Sequence, residues 1–242
     1  MAVISLNGIP GAGKTVCGAN IGLKHYRKTN YLLKQFIRYI RKKDIIINNV
    51  YSNFPILLDK RHNIYSNIVS IYDLNNAYSY LPDSLIIIDE VQAFYDSYRD
   101  FKSFPKSISS FFQFHRHFGI KDIYLIAQSP KRIVSYLRDV ISQYHRIKYF
   151  FRIPIIHLGL VIYRQCFDFE DYDSSFTNIK EIKKQLQIKT KIYLFNYKKV
   201  FKSFKSKYLD ILNLNKPLID KGTFESKEFP KDSADYLLHK LF

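Results

Sequence analysis

The sequence has few cysteines and no ligand cluster built from them. Of its 242 residues only two are cysteine, Cys17 and Cys166. Two cysteines give neither a disulfide framework nor the ligand spacing of a zinc site, and they fit a reducing compartment. Cys17 falls in the first turns of a predicted helix, where we interpret it as a small buried residue.

Long apolar runs and targeting signals are also missing. The longest uncharged apolar stretch, from Ile153 to Tyr163, is well short of the roughly 20 residues that span a bilayer, and Pro154 and Gly159 interrupt it. The first residues lack the basic start of a signal peptide. We therefore expect this chain to be soluble or peripheral, in the cytoplasm where ATP is found.

Acidic side chains are scarce. Against 38 Lys and Arg there are 21 Asp and Glu, which gives a formal net charge of +17. Such an excess favours an anionic partner: a nucleic acid, an acidic membrane surface or an acidic protein. An AT-rich genome would produce the same abundance of Lys, Ile, Asn, Tyr and Phe without selection for binding. The charge therefore speaks to partner class and not to mechanism.

Two basic clusters stand out within this charge, one on a predicted helix and one interleaved with aromatic residues. Aromatics among basic residues suit single-stranded nucleic acid, but they equally suit a solvated strand face or a membrane surface. The first cluster is Lys34, Arg38, Arg41, Lys42 and Lys43, and the second is Lys198, Lys199, Lys202, Lys205 and Lys207 with Phe201, Phe204 and Tyr208.

The length and the order of predicted elements indicate an α/β fold with one main domain over residues 1–205 and a tail over 206–242 that ends in a short helix. Predicted strands up to residue 127 alternate with helices, which is typical of a mainly parallel sheet flanked by helices. The strands are Ala2–Leu6, Ile45–Tyr51, Val69–Tyr72, Leu85–Ile88 and Asp122–Ala127. The helices are Lys14–Arg27, Thr29–Lys43, Ser107–His117, Ile133–Ser142 and Lys180–Gln187.

The pattern changes after residue 145. Three aromatic and β-branched runs, Arg146–Ile156, Leu158–Phe169 and Thr190–Val200, are separated by turn residues. We expect them to be antiparallel strands that extend the sheet.

A phosphate-binding loop follows the first strand. Its glycines let the backbone curl so that N–H groups point at phosphates, and the following helix adds its dipole. Lys14 would reach the β- and γ-phosphates of ATP, and the Thr15 hydroxyl would hold Mg²⁺. The predicted nucleotide-binding residues are Gly8, Pro10, Gly11, Ala12, Gly13, Lys14, Thr15 and Val16.

An acidic pair, Asp89 and Glu90, follows the apolar strand Leu85–Ile88. Because ligands bind at the carboxyl ends of parallel strands, both side chains are expected near the phosphates. Asp89 would then lie beside the metal, and Glu90 would take a proton from the attacking water.

Three further residues are candidates for catalysis. Gln128 ends the strand Asp122–Ala127, where an amide can orient the attacking water. Arg116, between His115 and His117, would either neutralise phosphoryl charge in its own or a neighbouring subunit, or serve as a helix C-terminal charge. Arg138 is a second candidate for an arginine that reaches a neighbour's phosphates.

Together these residues resemble the zonular occludens toxin-like family, which includes the assembly ATPases of filamentous phages. The segments that carry the resemblance, over about residues 1 to 145, are Gly8–Thr15, Asn48–Asn53, Leu85–Gln92, His115–Gly119 and Asp122–Pro130 with Arg138. The resemblance implies an ATPase that powers assembly and extrusion of a filamentous virion at the host membrane, with ATP and Mg²⁺ as cofactors. Filamentous-phage relatives usually carry a transmembrane segment after this domain, and from its sequence we expect none in this chain.

The implied partners are other copies of the chain, phage coat and assembly proteins, membrane assembly partners, and single-stranded DNA or an anionic membrane surface. We place the chain on the cytoplasmic face of the host membrane. Two alternatives stay open at this point. One is a DNA translocase of the packaging or conjugation type, and the other is a nucleotide-regulated scaffold without turnover, against which Glu90 argues.

Overall fold

The computed structural model of the chain describes residues 2–40, 46–70, 74, 80–94, 106–153, 155–166 and 189–203. The predicted helix at 180–187, the predicted domain boundary near residue 205 and the tail after it lie outside these described residues. They stay predictions.

The described chain is built on an eight-stranded sheet. Its strands are β1 (Ala2–Asn7), β2 (Val50–Ser52), β5 (Asn67–Ile68), β6 (Ser84–Ile88), β7 (Ile120–Ala127), β8 (Gln143–Ile153), β9 (Leu158–Cys166) and β10 (Lys189–Asn196). Their spatial order is β10-β9-β8-β1-β7-β6-β2-β5. A separate two-stranded hairpin, β3 (Leu57–Asp59) with β4 (Ile64–Tyr65), was not predicted.

Strand direction divides the sheet into two parts. From β5 to β8 every neighbouring pair is parallel, whereas β9 pairs antiparallel with both β8 and β10. This confirms the predicted mainly parallel sheet with antiparallel strands added in the carboxyl-terminal part. The strand β8 belongs to both parts.

One long helix, α1 (Lys14–Ile40), follows the phosphate loop. The prediction of two helices, Lys14–Arg27 and Thr29–Lys43, was therefore wrong. No proline or glycine separates the two predicted helices. The polar side chain of Asn30 has hydrogen-bond partners both in the helix and outside it. Its amide donates to the carbonyls of Tyr26 and Ile47 at 3.0 and 2.8 Å and accepts from the Ile47 N–H at 2.9 Å. Of the Lys34 cluster, Lys34 and Arg38 belong to this same helix, and the rest lies outside the described residues.

The other helices are short. The helix α2 (Lys106–Phe114) runs into a 3₁₀ turn, His115–Phe118, which ends at Gly119 in the left-handed conformation (φ 74°). The helix α3 covers only Ser135–Arg138, against a prediction of Ile133–Ser142, because Ile133 and Val134 have extended backbones. The helix α4 (Tyr197–Phe201) follows β10.

Helices cover both faces of the parallel part of the sheet. On one face α1 buries Cys17, Leu23 and Tyr26 against side chains of β1, β6 and β7, so Cys17 is buried as predicted. On the other face α2 and α3 bury Phe112 and Leu137 against the alternate side chains of the same strands. This burial from both sides explains the apolar runs Leu85–Ile88 in β6 and Ile123–Ala127 in β7.

Candidate nucleotide-binding site

Three neighbouring parallel strands deliver the candidate residues to one edge of the sheet. The strand β7 lies between β1 and β6, with Ala127 opposite Asn7 and Leu125 opposite Ile88. The phosphate loop follows β1, Gln128 follows β7, and the acidic pair follows β6. The predicted meeting of these segments at the carboxyl edge is therefore observed in the structure.

The phosphate loop has the backbone geometry that its glycines allow. Gly11 and Gly13 have φ values of 77° and 87°, which residues with a side chain rarely adopt. The Ala12 N–H donates to the Ile9 carbonyl at 3.2 Å, and the Cys17 N–H donates to Gly13 at 2.9 Å as α1 begins. These turns orient the loop toward the helix amino terminus, where anions bind.

Strand β8 forms the wall of the loop on the side away from β7. A Cβ atom built on Gly8 would lie 2.7 Å from the Ile147 carbonyl oxygen, and one built on Gly13 would lie 3.1 Å from the Phe150 ring. Packing thus requires glycine at Gly8, where the obstacle is backbone, whereas at Gly13 the positive φ favours glycine and the Phe150 ring leaves little room. The sequence analysis did not identify this wall.

Lys14 folds back over the loop. Its ammonium group donates to the carbonyls of Gly8 and Ile9 at 2.9 and 3.1 Å, and the side chain is buried. Burial lowers the pKa of Lys14, while the carboxylates of Glu90 and Asp89 act in the opposite direction. The structure therefore holds a buried cation among loop carbonyls at the place where phosphate oxygens are expected.

The Thr15 hydroxyl and the Asp89 carboxylate meet directly. The hydroxyl donates to Asp89 Oδ2 at 2.7 Å, and Asp89 is only 2% exposed. Burial raises the pKa of Asp89 to about 6, although the hydrogen bond from Thr15 acts in the opposite direction and lowers the pKa. Two hard oxygen donors side by side fit Mg²⁺, whose charge would favour the ionised carboxylate.

Glu90 has an unusual backbone. Its φ of 51° and ψ of 43° are left-handed, and its N–H donates to Asp89 Oδ1 at 2.9 Å. The Gln92 amide donates to the Glu90 carboxylate. This conformation turns Glu90 out of the strand path and leaves it partly exposed, while Gln92 fixes its side chain.

Asn53 holds the acidic pair from the neighbouring strand. Its side-chain amide donates to the Asp89 carbonyl at 2.8 Å, and its side-chain oxygen accepts from the Asp89 N–H at 2.8 Å. The side chain is fully buried. Sequence analysis placed Asn53 in a segment typical of the family but gave it no role. The signal available was a polar residue directly after a strand parallel to the acidic one.

Arg116 does not lie at this edge. It precedes β7, and the eight residues of β7, at about 3.3 Å each, separate it from Gln128 by roughly 25 Å. The prediction that it acts on the phosphates of its own subunit is therefore wrong. The alternative, a charge in the last turn of a helical segment, agrees with the 3₁₀ turn that ends at Gly119.

Arg138 and Gln128 occupy different ends of the connection between β7 and β8. Gln128 is exposed directly after β7, between the loop and the acidic pair. Arg138 ends α3, and its carbonyl accepts from the Tyr144 hydroxyl at 3.0 Å near the start of β8. Of these two residues Gln128 lies beside the phosphate loop, and both catalytic assignments stay predictions.

The glycine-rich loop between a buried strand and a helix, with an acidic pair on a parallel strand, defines a P-loop NTPase. The family model described as zonular occludens toxin (Zot) matches residues 2–159. The chain belongs to this family, as the sequence resemblance predicted.

Solved structures with similar folds were also found. The N-terminal domain of zonular occludens toxin from Neisseria meningitidis is 18% identical, with 84% of this chain and 98% of that chain covered and a TM-score of 0.48. The genome packaging NTPase B204 from Sulfolobus turreted icosahedral virus 2, in complex with AMPPCP, is 14% identical, with 79% and 96% covered and a TM-score of 0.39. The flagellar accessory protein FlaH from Methanocaldococcus jannaschii is 15% identical, with 67% and 77% covered and a TM-score of 0.36. Among curated proteins no match was found.

Within the described ranges, no helix has both the length and the apolar character needed to cross a bilayer. The same part of the chain contains no group of three or more His, Cys, Asp or Glu side chains that would hold a metal ion. The Thr15–Asp89 pair is accordingly the candidate for Mg²⁺, since this ion binds through few protein oxygens together with the phosphates of the nucleotide.

Proposed function

We propose that this chain is an ATPase that couples ATP hydrolysis to the assembly and extrusion of a filamentous phage at the host membrane. The observation that carries the ATPase part is the Thr15–Asp89 hydrogen bond of 2.7 Å beside the buried Lys14. Two segments 74 residues apart in sequence are joined by the two groups that magnesium-dependent phosphoryl transfer requires. The phage part is supported by membership of the Zot family.

Nucleotide binding follows from the loop. Backbone N–H groups at residues 11–16 would bind the phosphates, and Lys14 would exchange the Gly8 and Ile9 carbonyls for phosphate oxygens. Thr15 and Asp89 would hold Mg²⁺, which neutralises phosphate charge when it is bound. The closed position of Lys14 thus provides a preformed cation for the anionic ligand.

Hydrolysis would depend on Glu90. Its carboxylate can accept the proton of an attacking water, and Gln92 orients that carboxylate through its amide. Gln128 lies between the loop and Glu90, where its amide can orient the same water. Asn53 acts as a positioning residue, because it fixes the backbone of Asp89 and thereby the start of the turn that presents Glu90.

The working unit would be a homo-oligomer, with a ring as one arrangement, in which an arginine of one copy reaches the phosphates of the next. Arg116 is suited to this role only toward a neighbour, because it lies at the amino edge of its own sheet. Phage coat and assembly proteins would be the partners or the cargo of this oligomer, and the assembled virion would contain single-stranded DNA. The location would be the cytoplasmic face of the host membrane.

Two experiments test this proposal separately. The first measures ATP hydrolysis by the purified full chain with Mg²⁺, alone and with naked single- or double-stranded DNA. We expect basal turnover with little stimulation by DNA. Strong stimulation by naked DNA would favour a DNA translocase instead, and no turnover with tight ATP binding would favour a scaffold.

The second experiment introduces Glu90→Gln into the phage that carries this gene. We expect release of virions to fall by at least tenfold while phage DNA and coat protein accumulate in the host. Equal accumulation of extracellular virions in the variant and the wild type would contradict a role in extrusion. A fall in intracellular phage DNA would instead indicate a role in replication.

A further inference from the structure

The strands β8 and β9 project beyond the nucleotide edge of the sheet. The last pairing of β8 with β1 joins Arg146 to Asn7, but β8 continues to Ile153 before the chain returns as β9. At about 3.3 Å per residue the hairpin extends roughly 20 Å past β1. The strand β10 lines its outer side, so this three-stranded extension stands out from the parallel part of the molecule.

One face of the extension is apolar and exposed. The register places Tyr149, Ile162 and Ile192 in one row across the three strands. Phe151, Leu160 and Leu194 form the next row. Tyr149, Phe151, Ile192 and Leu194 are 58%, 50%, 55% and 51% exposed. We call this surface the apolar face; its residues are Tyr149, Phe151, Ile153, Leu158, Leu160, Ile162, Ile192 and Leu194.

The opposite face already has its packing partners. Phe150, Val161 and Phe195 point to the α1 side and belong to the core there, with Phe150 stacked on Phe195 at 6.0 Å between ring centroids. A solvated sheet face normally alternates with polar residues. Here both faces are apolar, and only one of them is covered within the described part of the chain.

The turn of the hairpin continues the apolar face to its most exposed point. Ile155 is 89% exposed and Ile156 is 62% exposed. Two adjacent isoleucines at the tip of a projecting hairpin can enter an apolar phase without any rearrangement of the sheet behind them. An exposed apolar patch of this extent marks a membrane or protein contact.

The charge of the extension distinguishes a membrane contact from a protein contact. The segments 143–166 and 189–203 contain no Asp or Glu and nine Lys or Arg, four in the first segment and five in the second. The nine are Arg146, Lys148, Arg152, Arg164, Lys189, Lys191, Lys198, Lys199 and Lys202. Arg146 and Arg164 are paired on the side of the apolar face, at its base, whereas Arg152 lies over the Phe150 and Phe201 rings on the opposite face. An extension that is apolar on one face and whose two segments carry only positive charge is complementary to an interface that is apolar inside and anionic outside.

We propose that the apolar face and its isoleucine tip insert into the surface of an anionic lipid membrane, with Arg146 and Arg164 at the base of this face against the headgroups. The inference gives a physical basis to the membrane location within the proposed function and rests on that part of it. A second copy would bring its own Arg146 and Arg164 against those of the first and offer no acidic partner from the two segments. Single-stranded nucleic acid stacks on aromatic rings, whereas the apolar face has six aliphatic residues and two aromatic ones.

The test uses flotation of the full chain with lipid vesicles. Vesicles of phosphatidylcholine with phosphatidylglycerol are compared with vesicles of phosphatidylcholine alone. Three proteins are tested: the wild type, a tip variant that carries both Ile155→Asp and Ile156→Asp, and the single variant Ile68→Asp. Ile68 is the matched control because it is 48% exposed on β5, at the other end of the sheet. We expect anionic vesicles to bind the wild type and the control, and the tip variant to bind at least about tenfold more weakly.

A labelled variant distinguishes insertion from electrostatic adsorption. Both native cysteines are buried, so Ile156→Cys and Ile68→Cys can be labelled selectively with an environment-sensitive fluorophore. A blue shift with anionic vesicles is expected at 156 and not at 68. The inference would be overturned if the wild type and the tip variant float equally or if neither floats. It would also be overturned if the tip supports a dimer or a DNA complex while the chain does not float. ATP hydrolysis is measured on the same samples, so failure of membrane binding alone leaves the ATPase proposal standing.

Discussion

The nucleotide edge and the extension differ in what fixes their residues. At the nucleotide edge, specific hydrogen bonds fix the positions of polar groups, as the Thr15 hydroxyl is bonded to the Asp89 carboxylate and the Asp89 backbone to the Asn53 side chain. In the extension, the side chains of the apolar face are exposed or half-buried, and the backbone register brings them together. A polar site requires particular residues at particular places, whereas an apolar surface requires only the correct alternation. The two regions should therefore respond differently to substitution.

The largest effect is expected at the nucleotide edge. Lys14→Ala removes the cation that would bind the phosphates and should lower the rate of ATP hydrolysis by about a hundredfold or more. Glu90→Gln should retain bound ATP but reduce turnover to a similar extent. Steady-state phosphate release and filter binding of labelled ATP measure the two quantities.

Lys24→Ala is the matched control for the lysine variant. Lys24 lies on the same helix, is exposed and donates only a long hydrogen bond, 3.3 Å, to the Leu194 carbonyl. Its substitution should leave turnover within a factor of about two. If Glu90→Gln hydrolyses ATP as fast as the wild type, the assignment of Glu90 as the base is wrong.

The next largest effect is expected in the pH dependence of stability. At the base of the extension, His145 is buried against the Tyr163 ring. Burial, with a smaller contribution from Lys191, lowers the pKa of His145 from 6.5 to about 4. The unfolded chain therefore binds this proton more readily than the folded one. Stability should fall as the pH drops from about 6.5 toward 4, by about 3 kcal/mol in all.

Urea unfolding at pH 7 and pH 5 measures this effect. His145→Gln should lose less stability between the two pH values than the wild type does, whereas His117→Gln, at an exposed position, should behave as the wild type. His25 and His115 also have lowered pKa values through burial, so part of the acid sensitivity will remain. An unchanged pH dependence in His145→Gln would show that the His145 side chain is hydrated.

A smaller effect is expected at Asn53, which connects the core to the catalytic edge. Asn53→Ala leaves the Asp89 N–H and carbonyl without their buried partner, at a cost of about 1 to 3 kcal/mol. The rate of ATP hydrolysis should fall as well, since the turn that presents Glu90 begins at Asp89. Asn67→Ala removes a comparable hydrogen bond, 2.8 Å to the Asn48 carbonyl, far from the acidic pair. It should lower stability without a change in turnover, and equal activity losses in both variants would refute a positioning role.

Sequence reasoning identified the nucleotide edge because its chemistry fixes residue types at fixed spacing. Lys14, Thr15 and Asp89 were each assigned from local motifs, and the structure brings all three together. The contact of Asn53 with Asp89 could not be assigned in this way, because it depends on which strands become neighbours. The contact of Gln92 with Glu90 is local, but it depends on the left-handed backbone at Glu90. The position of Arg116 could have been deduced, since a residue just before a parallel strand lies at the amino edge and not at the ligand edge.

Sequence reasoning was less successful where tertiary contacts override local signals. Within α1, which was predicted as two helices, the Asn30 side chain pairs with the backbone of Ile47, a residue of a separate predicted element. In the extension the runs after residue 145 form antiparallel strands as predicted, but β8 also pairs in parallel with β1, and the predicted strand Thr190–Val200 ends at Asn196, where α4 follows. Their apolar residues on both faces gave no indication of which face is covered, because that depends on the placement of α1.

The smallest effect should come from the end of the extension, at the start of α4. The Asn196 side chain accepts a hydrogen bond from the Lys199 N–H at 2.9 Å and so caps this helix. Asn196→Ala should cost about 1 kcal/mol of stability, and Asn196→Gly only a few tenths, since glycine is tolerated at an N-cap. Thermal unfolding of both variants measures this difference. Neither variant should alter ATP hydrolysis if the extension is energetically separate from the nucleotide edge. A loss of turnover in Asn196→Ala would instead show coupling through Phe201, which packs on Phe150 at the wall of the phosphate loop.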